Sequence, residues 1–344
     1  MTDAPLTARL DVSRTQILAY RRRVGALDER LPHGPESLRV AAWAGLQDSV
    51  PRAALLSIHA RVAGTRPTDW AHSSLVQLWG PRYNAYVVAE RDIGVFTIGR
   101  LPDDDKARRF AEDMAHRLET FLAGRTMTYA AAGHGLGIHP GALRYGAPTG
   151  RMLIRWEGAG QPTIWSVPRP DLDPAEARLE LARRHLHVFG PTTPAAFAEW
   201  AGIRPTRARA AYQTLGGSLI AVRTPIGEAW ILASDEEALR ARARTTAPAR
   251  LLPAGDAYYL VQGSDRELLV PEAGRRPELW TSRVWPGAVL VDGEVAGVWR
   301  RAAEKVTISA WRVLTREERD AVEGEAAMLP LPGVGGPVAL SWDD

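Results

Sequence analysis

The stretch that most constrains this chain is residues 191–233, PTTPAAFAEWAGIRPTRARAAYQTLGGSLIAVRTPIGEAWILA. It predicts a helix, a tight turn, a second helix and a two-stranded hairpin, the order of a winged helix-turn-helix. Thr193 precedes Pro194 as a helix cap followed by a first-turn proline. Phe197 and Ala201 recur at i, i+4, and Gly202 supplies the break. A second start follows at Pro205-Thr206, after which Ala208, Tyr212 and Leu215 form an apolar stripe at i, i+4, i+7. The opposite face carries Thr206, Arg209 and Gln213, with Arg207 on the flank. Gly216-Gly217 ends that helix, and the β-prone runs 218–223 and 228–232 are joined across 224–227 as a wing. A polar, arginine-bearing second helix suits the major groove or the phosphates of duplex DNA, with Arg223 of the wing as a further contact. The alternative is a winged helix used for packing or dimerisation.

Composition bounds the partners. At 344 residues the chain has room for about two or three compact units. Hydrophobic residues at 45% and charged residues at 24% are those of an ordinary globular protein. The net charge is only +3, so a nucleic-acid footprint must be a local patch. Lysine occurs only at Lys106 and Lys305; the remaining basic residues are arginines, whose planar fork donates two parallel hydrogen bonds to a phosphate or a base edge. The lack of cysteine excludes disulfides, thiolate metal sites and cysteine nucleophiles. His185 and His187 point to different helix faces, and His59 on an apolar helix reads as a core histidine, so no metal is expected. The Gly-rich run AAGHGLGIHPG at 131–141 lacks the strand and lysine of a nucleotide-binding loop, and no cofactor is expected. The N-terminal residues lack a signal-peptide pattern, and no apolar run approaches the roughly 20 residues that span a bilayer. A cytoplasmic protein with no membrane association is the expectation.

The helix-helix-hairpin order recurs in rougher form. Helices are expected at 13–27, 36–46 and 51–62, with strands at 75–80 and 83–89; an acid-led helix from Asp104-Asp105 is followed by a hairpin of 151–157 and 161–167 across 158–160. Three units result, 10–102, 103–168 and 175–245, with PRPDLDP at 168–174 as the clearest linker. From 250 to 344 short strands take over, with Asp292-Gly293 as a two-residue hairpin turn, a short helix from Thr315, and a tail that closes the sheet. The expected class is therefore α+β. Arg283, Trp285, Arg300 and Arg301 near these turns read as ordinary surface and aromatic packing.

Five blocks in order are WAGLQDSVPRAALLSIHARV at 43–62, WGPR at 79–82, FGPTTPAAFAEWAGI at 189–203, LLPAGDAYYL at 251–260 and VWPGAVLVDGEVAGVWRR at 284–301. With them the chain, over about residues 10–340, resembles the bacterial winged-helix DNA glycosylases of the AlkZ-like and YcaQ-like type. The resemblance implies three tandem winged helices and a β-rich C-terminal subdomain forming a C-shaped clamp around duplex DNA. It also implies a monomer that hydrolyses the N-glycosidic bond of bulky N7-alkylated purines or unhooks crosslinks. The family's catalytic motif is glutamine, an apolar residue, then glutamine or aspartate. Gln47 matches the first position, Asp48 stands in the apolar one and Ser49 in the last. Such a set fixes a water beside the anomeric carbon and stabilises an oxocarbenium-like transition state. On an extended segment Asp48 points away from its neighbours. Ser49 is as well placed to cap the helix 51–62, and Asp48 at its N-terminus to complement the helix dipole. Arg82 and Tyr83 on the first hairpin suit a phosphate and a flipped base, or simple packing. The competing reading of the whole is a non-catalytic DNA-binding protein, a lesion sensor or transcriptional regulator.

Overall fold

The computed structural model describes residues 10–158, 160–244, 246–302, 304–331 and 338–343. Residues 1–9 and Ala159 of the second expected turn lie outside them. Within 191–233 the elements follow the expected order: helices Pro194–Ala201 and Pro205–Leu215, then strands Leu219–Thr224 and Gly227–Leu232. The Thr193 hydroxyl accepts the Ala196 amide at 3.2 Å, and Gly202 ends the first helix with φ of 69°, a conformation that favours glycine. Ala208, Tyr212 and Leu215 are buried. Their stripe meets a preceding helix, Pro174–Phe189, through an aromatic cluster in which Trp200 lies 5.1 Å from His185 and 5.6 Å from Phe189. Burial drives His185 down to about 3, so it packs as a neutral ring.

The N-terminal strand does not join the first hairpin. Leu10–Asp11 lies parallel to Leu219–Thr224, pairing Leu10 with Val222 and Asp11 with Arg223, and completes a three-stranded sheet. The helix after it, Arg14–Val24, opens with a capping box between Ser13 and Gln16. Its buried Arg21 then donates to the Phe189, Gly190 and Pro191 carbonyls, fastening the N-terminal helix to the start of the 191–233 unit.

The two earlier hairpins also differ from the expectation of separate modules. Leu75–Trp79 with Ala85–Ala89, and Met152–Arg155 with Thr163–Ser166, belong to one six-stranded sheet edged by Leu46–Gln47 and Met127–Thr128, the hairpins meeting where Gln77 faces Ile154. Two isolated hairpins would each leave two open edges; merging them pairs one edge of each. Two expected helices are shorter than periodicity suggested. The second is Pro35–Ala41, cut off before Gly45 at φ 72°, and the third is Ala53–Arg61, delayed by Arg52 at φ 67°.

The C-terminal residues build a five-stranded sheet whose central hairpin turns at Asp292 and Gly293, with φ of 49° and 79° as a two-residue turn requires. The tail strand Ala339–Asp343 joins this sheet as its last strand, running parallel to Lys305–Ala310 at the edge. Helix Arg316–Ala327, capped by Thr315 and Glu318, covers one face over a core of Val289, Trp299, Ile308 and Val322. Among the described residues no helix is long and apolar enough to cross a membrane.

Candidate functional site

Gln47 ends a two-residue strand that pairs antiparallel with Ala85–Ala89 and sits opposite Tyr86. Along this extended segment neighbouring side chains alternate. Gln47 and Ser49 line a cleft of about 310 Å³, whereas Asp48 turns inward and is 1% exposed. The Asp48 carboxylate accepts the Ala54 amide at 3.0 Å and the Gln77 side-chain amide at 2.7 Å. It thereby caps helix Ala53–Arg61 and pins that helix to the sheet. Ser49 does not share the task, because left-handed Arg52 delays the helix to Ala53, four residues on. Its hydroxyl oxygen is shielded from solvent and has no hydrogen-bond partner among the described residues. The cap expected of Ser49 is thus supplied by Asp48, and Asp48 is not a group of the cleft.

Burial pushes the Asp48 carboxyl up to about 7, against the opposing pull of its amide donors and of Arg52. An acid whose folded-state value is raised stabilises the fold below its unfolded value, near 4, and loses that contribution as pH rises through 7. Asp48→Asn removes this titration. Its stability relative to the parent should therefore rise between about pH 4 and pH 7, a trend that urea midpoints at matched pH will check.

The opposite wall comes from the C-terminal part. Gly255 stands at φ 76°, and a Cβ there would lie 2.9 Å from the Gln47 amide nitrogen, so this loop reaches the glutamine only as glycine. Next to it Asp256, 1% exposed, takes a two-pronged ion pair from Arg61 at 2.7 and 2.8 Å and the Ser57 hydroxyl at 2.6 Å. It also accepts the Tyr258 amide at 2.9 Å. Helix Ala53–Arg61 therefore holds both walls, one through Asp48 at its start and one through Asp256 at its end. The Tyr86 hydroxyl lies 3.5 Å from the Gln47 carbonyl oxygen, a loose contact that leaves the amide able to serve another partner.

Arg82, Asn84, Arg283 and Trp285 are further lining residues, and no aspartate or glutamate is among the lining residues. Arg82 and Tyr83 both have positive φ, 54° and 58°, which swings the arginine into the cleft; its Nε is shielded and unpartnered among the described residues. Tyr83 packs between the guanidinium of Arg100, 5.1 Å from its ring, and the edge of Tyr145 at 5.2 Å. Arg283 and Trp285 were expected to be ordinary surface. The one sequence signal for them was a basic residue beside tryptophan and proline in the run RVWPG, which has no helical or alternating pattern of its own.

Thr206, Arg209 and Gln213 form an exposed face on helix Pro205–Leu215, and Arg223 is exposed on the adjacent strand. Arg207 differs. Its guanidinium donates to the Leu101 carbonyl at 2.8 Å and pairs with Asp103 at 2.6 Å, so it fastens the helix to the preceding unit instead of facing outward. His59 is a buried neutral histidine held at about 3 by desolvation. Among the described residues no three His, Asp or Glu side chains gather as a metal would need.

The family model described as "DNA glycosylase AlkZ-like" matches residues 40–329 of this chain. The solved structure of Streptomyces sahachiroi DNA glycosylase AlkZ is similar to it with a TM-score of 0.77 at 20% identity, covering 97% of this chain and 100% of that one. At that identity the likeness shows the fold. No curated protein matches the chain.

Proposed function

The chain belongs to the AlkZ-like DNA glycosylase family, and from that premise we propose that it binds duplex DNA and hydrolyses the N-glycosidic bond of N7-alkylated purines in the cleft around Gln47. One observation carries this reading: an amide that both donates and accepts, and a hydroxyl without a partner, line one cleft together with two arginines. Alkylation at N7 makes the base cationic. The C1′–N9 bond breaks with its electron pair passing to N9, the base leaves neutral, and water adds to C1′ while its surplus proton passes to solvent. The Gln47 carbonyl oxygen accepts a hydrogen bond from that water, and the Ser49 hydroxyl, shielded in the free protein, supplies the second contact by rotating into the cleft. The positive charge developing on the sugar meets no protein carboxylate, so the flanking phosphates, held by Arg82 and Arg283, are its counter-charge. Asp48 is a positioning residue that acts through the helix start and Gln77.

On this reading 10–102, 103–168 and 175–245 are wing-bearing units, the first two sharing a sheet. Together with 250–344 they form a C-shaped clamp acting as a cytoplasmic monomer, with Tyr83 beside the displaced base. Thr206, Arg209, Gln213 and Arg223 lie along the duplex. Affinity should fall steeply with salt, and Arg209→Ala should lower the slope of log K against log salt by about one. Arg207→Ala should leave the slope unchanged and lower the melting temperature, since its partners are Asp103 and Leu101. A titration of both variants at several salt concentrations checks this.

The test of the activity is incubation with a duplex carrying one N7-methylguanine, scoring abasic sites by alkaline strand cleavage. Formation well above spontaneous depurination is expected. The cleft's lack of a carboxylate favours one competing reading, a lesion sensor that binds without cleaving; tight binding with only spontaneous depurination would establish that instead.

A further inference from the structure

Three aromatic rings run in series from Arg82, the arginine that lines the Gln47 cleft. Tyr83, the next residue, has its ring 5.2 Å from that of Tyr145, which in turn lies 6.2 Å from the ring of Phe110. Exposure rises along the series, from half-buried Tyr83 to Tyr145 at 38% and Phe110 at 51%. The helix that carries Phe110, Asp105–Leu122, buries a stripe from Ala111 to Leu122, and Phe110 stands outside it. Interplanar angles of 77° and 53° mean that no ring lies flat on its neighbour, so the stacking faces are not used up within the series.

The charge around the rings is unbalanced. Arg144 holds its guanidinium 5.5 Å from the Tyr145 ring, and Arg144, Lys106 and Arg109 have no ion pair among the described residues. Of the acids nearest to Phe110 in sequence, Asp103, Asp104, Glu112 and Asp113 are each taken by an arginine, and Asp105 is not. A duplex offers little to such faces, because its bases cover one another about 3.4 Å apart and show only edges and phosphates. An unpaired base presents its whole face, stacks on an aromatic ring whatever its identity, and brings a phosphate for a free cation. The ring spacings exceed the duplex rise, as suits a strand drawn out of the helix.

We propose that Tyr83, Tyr145 and Phe110 form a stacking track for unpaired DNA, with Arg144 and Arg109 against its phosphates. The occupants are undamaged bases of a strand that has left the duplex, not the damaged base itself. The track requires DNA binding but no hydrolysis at Gln47, and it makes the protein prefer duplexes with a single-stranded arm.

The test uses the full chain and three undamaged DNAs: a blunt duplex, the same duplex with a short thymidine arm, and the same duplex with an arm of abasic sugar-phosphates. Arms at the 5′ and 3′ ends are measured separately, and the larger gain counts. The parent should bind the thymidine-armed duplex at least about tenfold more tightly than the blunt one, a gain the abasic arm should not reproduce. Phe110→Ser and Tyr145→Ser should each cut that gain at least about threefold, with blunt-duplex affinity as the folding control, and Phe110→Trp should keep it. Equal affinity of the parent for armed and blunt duplexes overturns the proposal. So does an equal gain from the abasic arm, which would reduce it to phosphate contacts. A gain undiminished in both serine variants also overturns it and leaves the exposed rings to a protein partner. Base release from a duplex carrying one N7-methylguanine is read separately. A thymidine-arm gain without release leaves the track standing and removes the hydrolytic reading, and release without the gain does the reverse.

Discussion

Gln47→Ala should slow abasic-site formation by about a hundredfold while leaving the dissociation constant for lesion-bearing duplex nearly unchanged. The magnitude follows from the loss of one preorganised hydrogen-bonding group at a reacting centre, worth on the order of 10²–10³ in rate. The lower end applies here, because a cationic base is already a good leaving group and asks for only modest help. Binding is spared because the glutamine faces the sugar while the phosphate contacts come from arginines. Truncation also leaves the walls standing: among the described residues the loose 3.5 Å contact with Tyr86 is the one side-chain hydrogen bond of the glutamine amide, and Gly255 meets it by packing. Single-turnover kinetics with protein in excess separate the two quantities. A rate within about threefold of the parent would mean that the water is held elsewhere and that Gln47 only fills the cleft. Ser49→Ala should fall between the two, since its hydroxyl offers one contact where the amide offers two.

Residues 191–233 were legible because every signal there is local. Thr193 caps the helix three residues away, Gly202 and Pro205 bound the turn, and the wing closes across residues 224–227. The same holds for Asp292-Gly293 and for the capping box at Thr315. What escaped the sequence is long-range. Nothing within Leu10–Asp11 marks it as a partner for Val222 and Arg223, and no pattern in two hairpins tells that Gln77 will face Ile154. Parallel pairing and sheet edges are decided by the packing of whole units, which periodicity does not carry.

The candidate site shows the same division. Alternation along 47–49 was readable, and it separates Gln47 and Ser49 from Asp48 as expected of an extended segment. The assignment of the cap to Asp48 was only half readable, since it depends on Arg52 adopting a left-handed conformation and on Gln77 arriving from another strand. Arg61 offered a signal that composition alone does not weigh: a charge on an otherwise apolar helix, which must find a buried partner. That partner, Asp256, lies in the block LLPAGDAYYL, far away in sequence, and only the fold joins them.

This joint is where the largest loss of stability is expected. Asp256→Ala should cost about 3–5 kcal/mol, a large share of the roughly 5–15 kcal/mol that holds a typical native domain. The reason is what the substitution strands. Arg61, with a side chain 5% exposed, would keep its charge without a counter-ion, and the Ser57 hydroxyl and Tyr258 amide would each lose an acceptor. Arg61→Ala leaves the mirror-image defect, a buried carboxylate with only neutral donors. The paired change Arg61→Met with Asp256→Leu removes both charges and should recover much of the loss, because a buried ion pair replaced as a whole is often close to neutral. Urea midpoints of the single and double variants measure the coupling; strict additivity would mean that the pair is not the unit the geometry indicates. The functional consequence follows from the neighbouring residue. Asp256 anchors the turn that presses Gly255 against the Gln47 amide, so a folded double variant with apolar groups in place of the ion pair should bind DNA normally yet release base more slowly than the parent. A double variant that regains stability and full activity together would show that the position of Gly255 is set by Tyr259, whose hydroxyl accepts the Gly255 amide at 3.1 Å, and not by the ion pair.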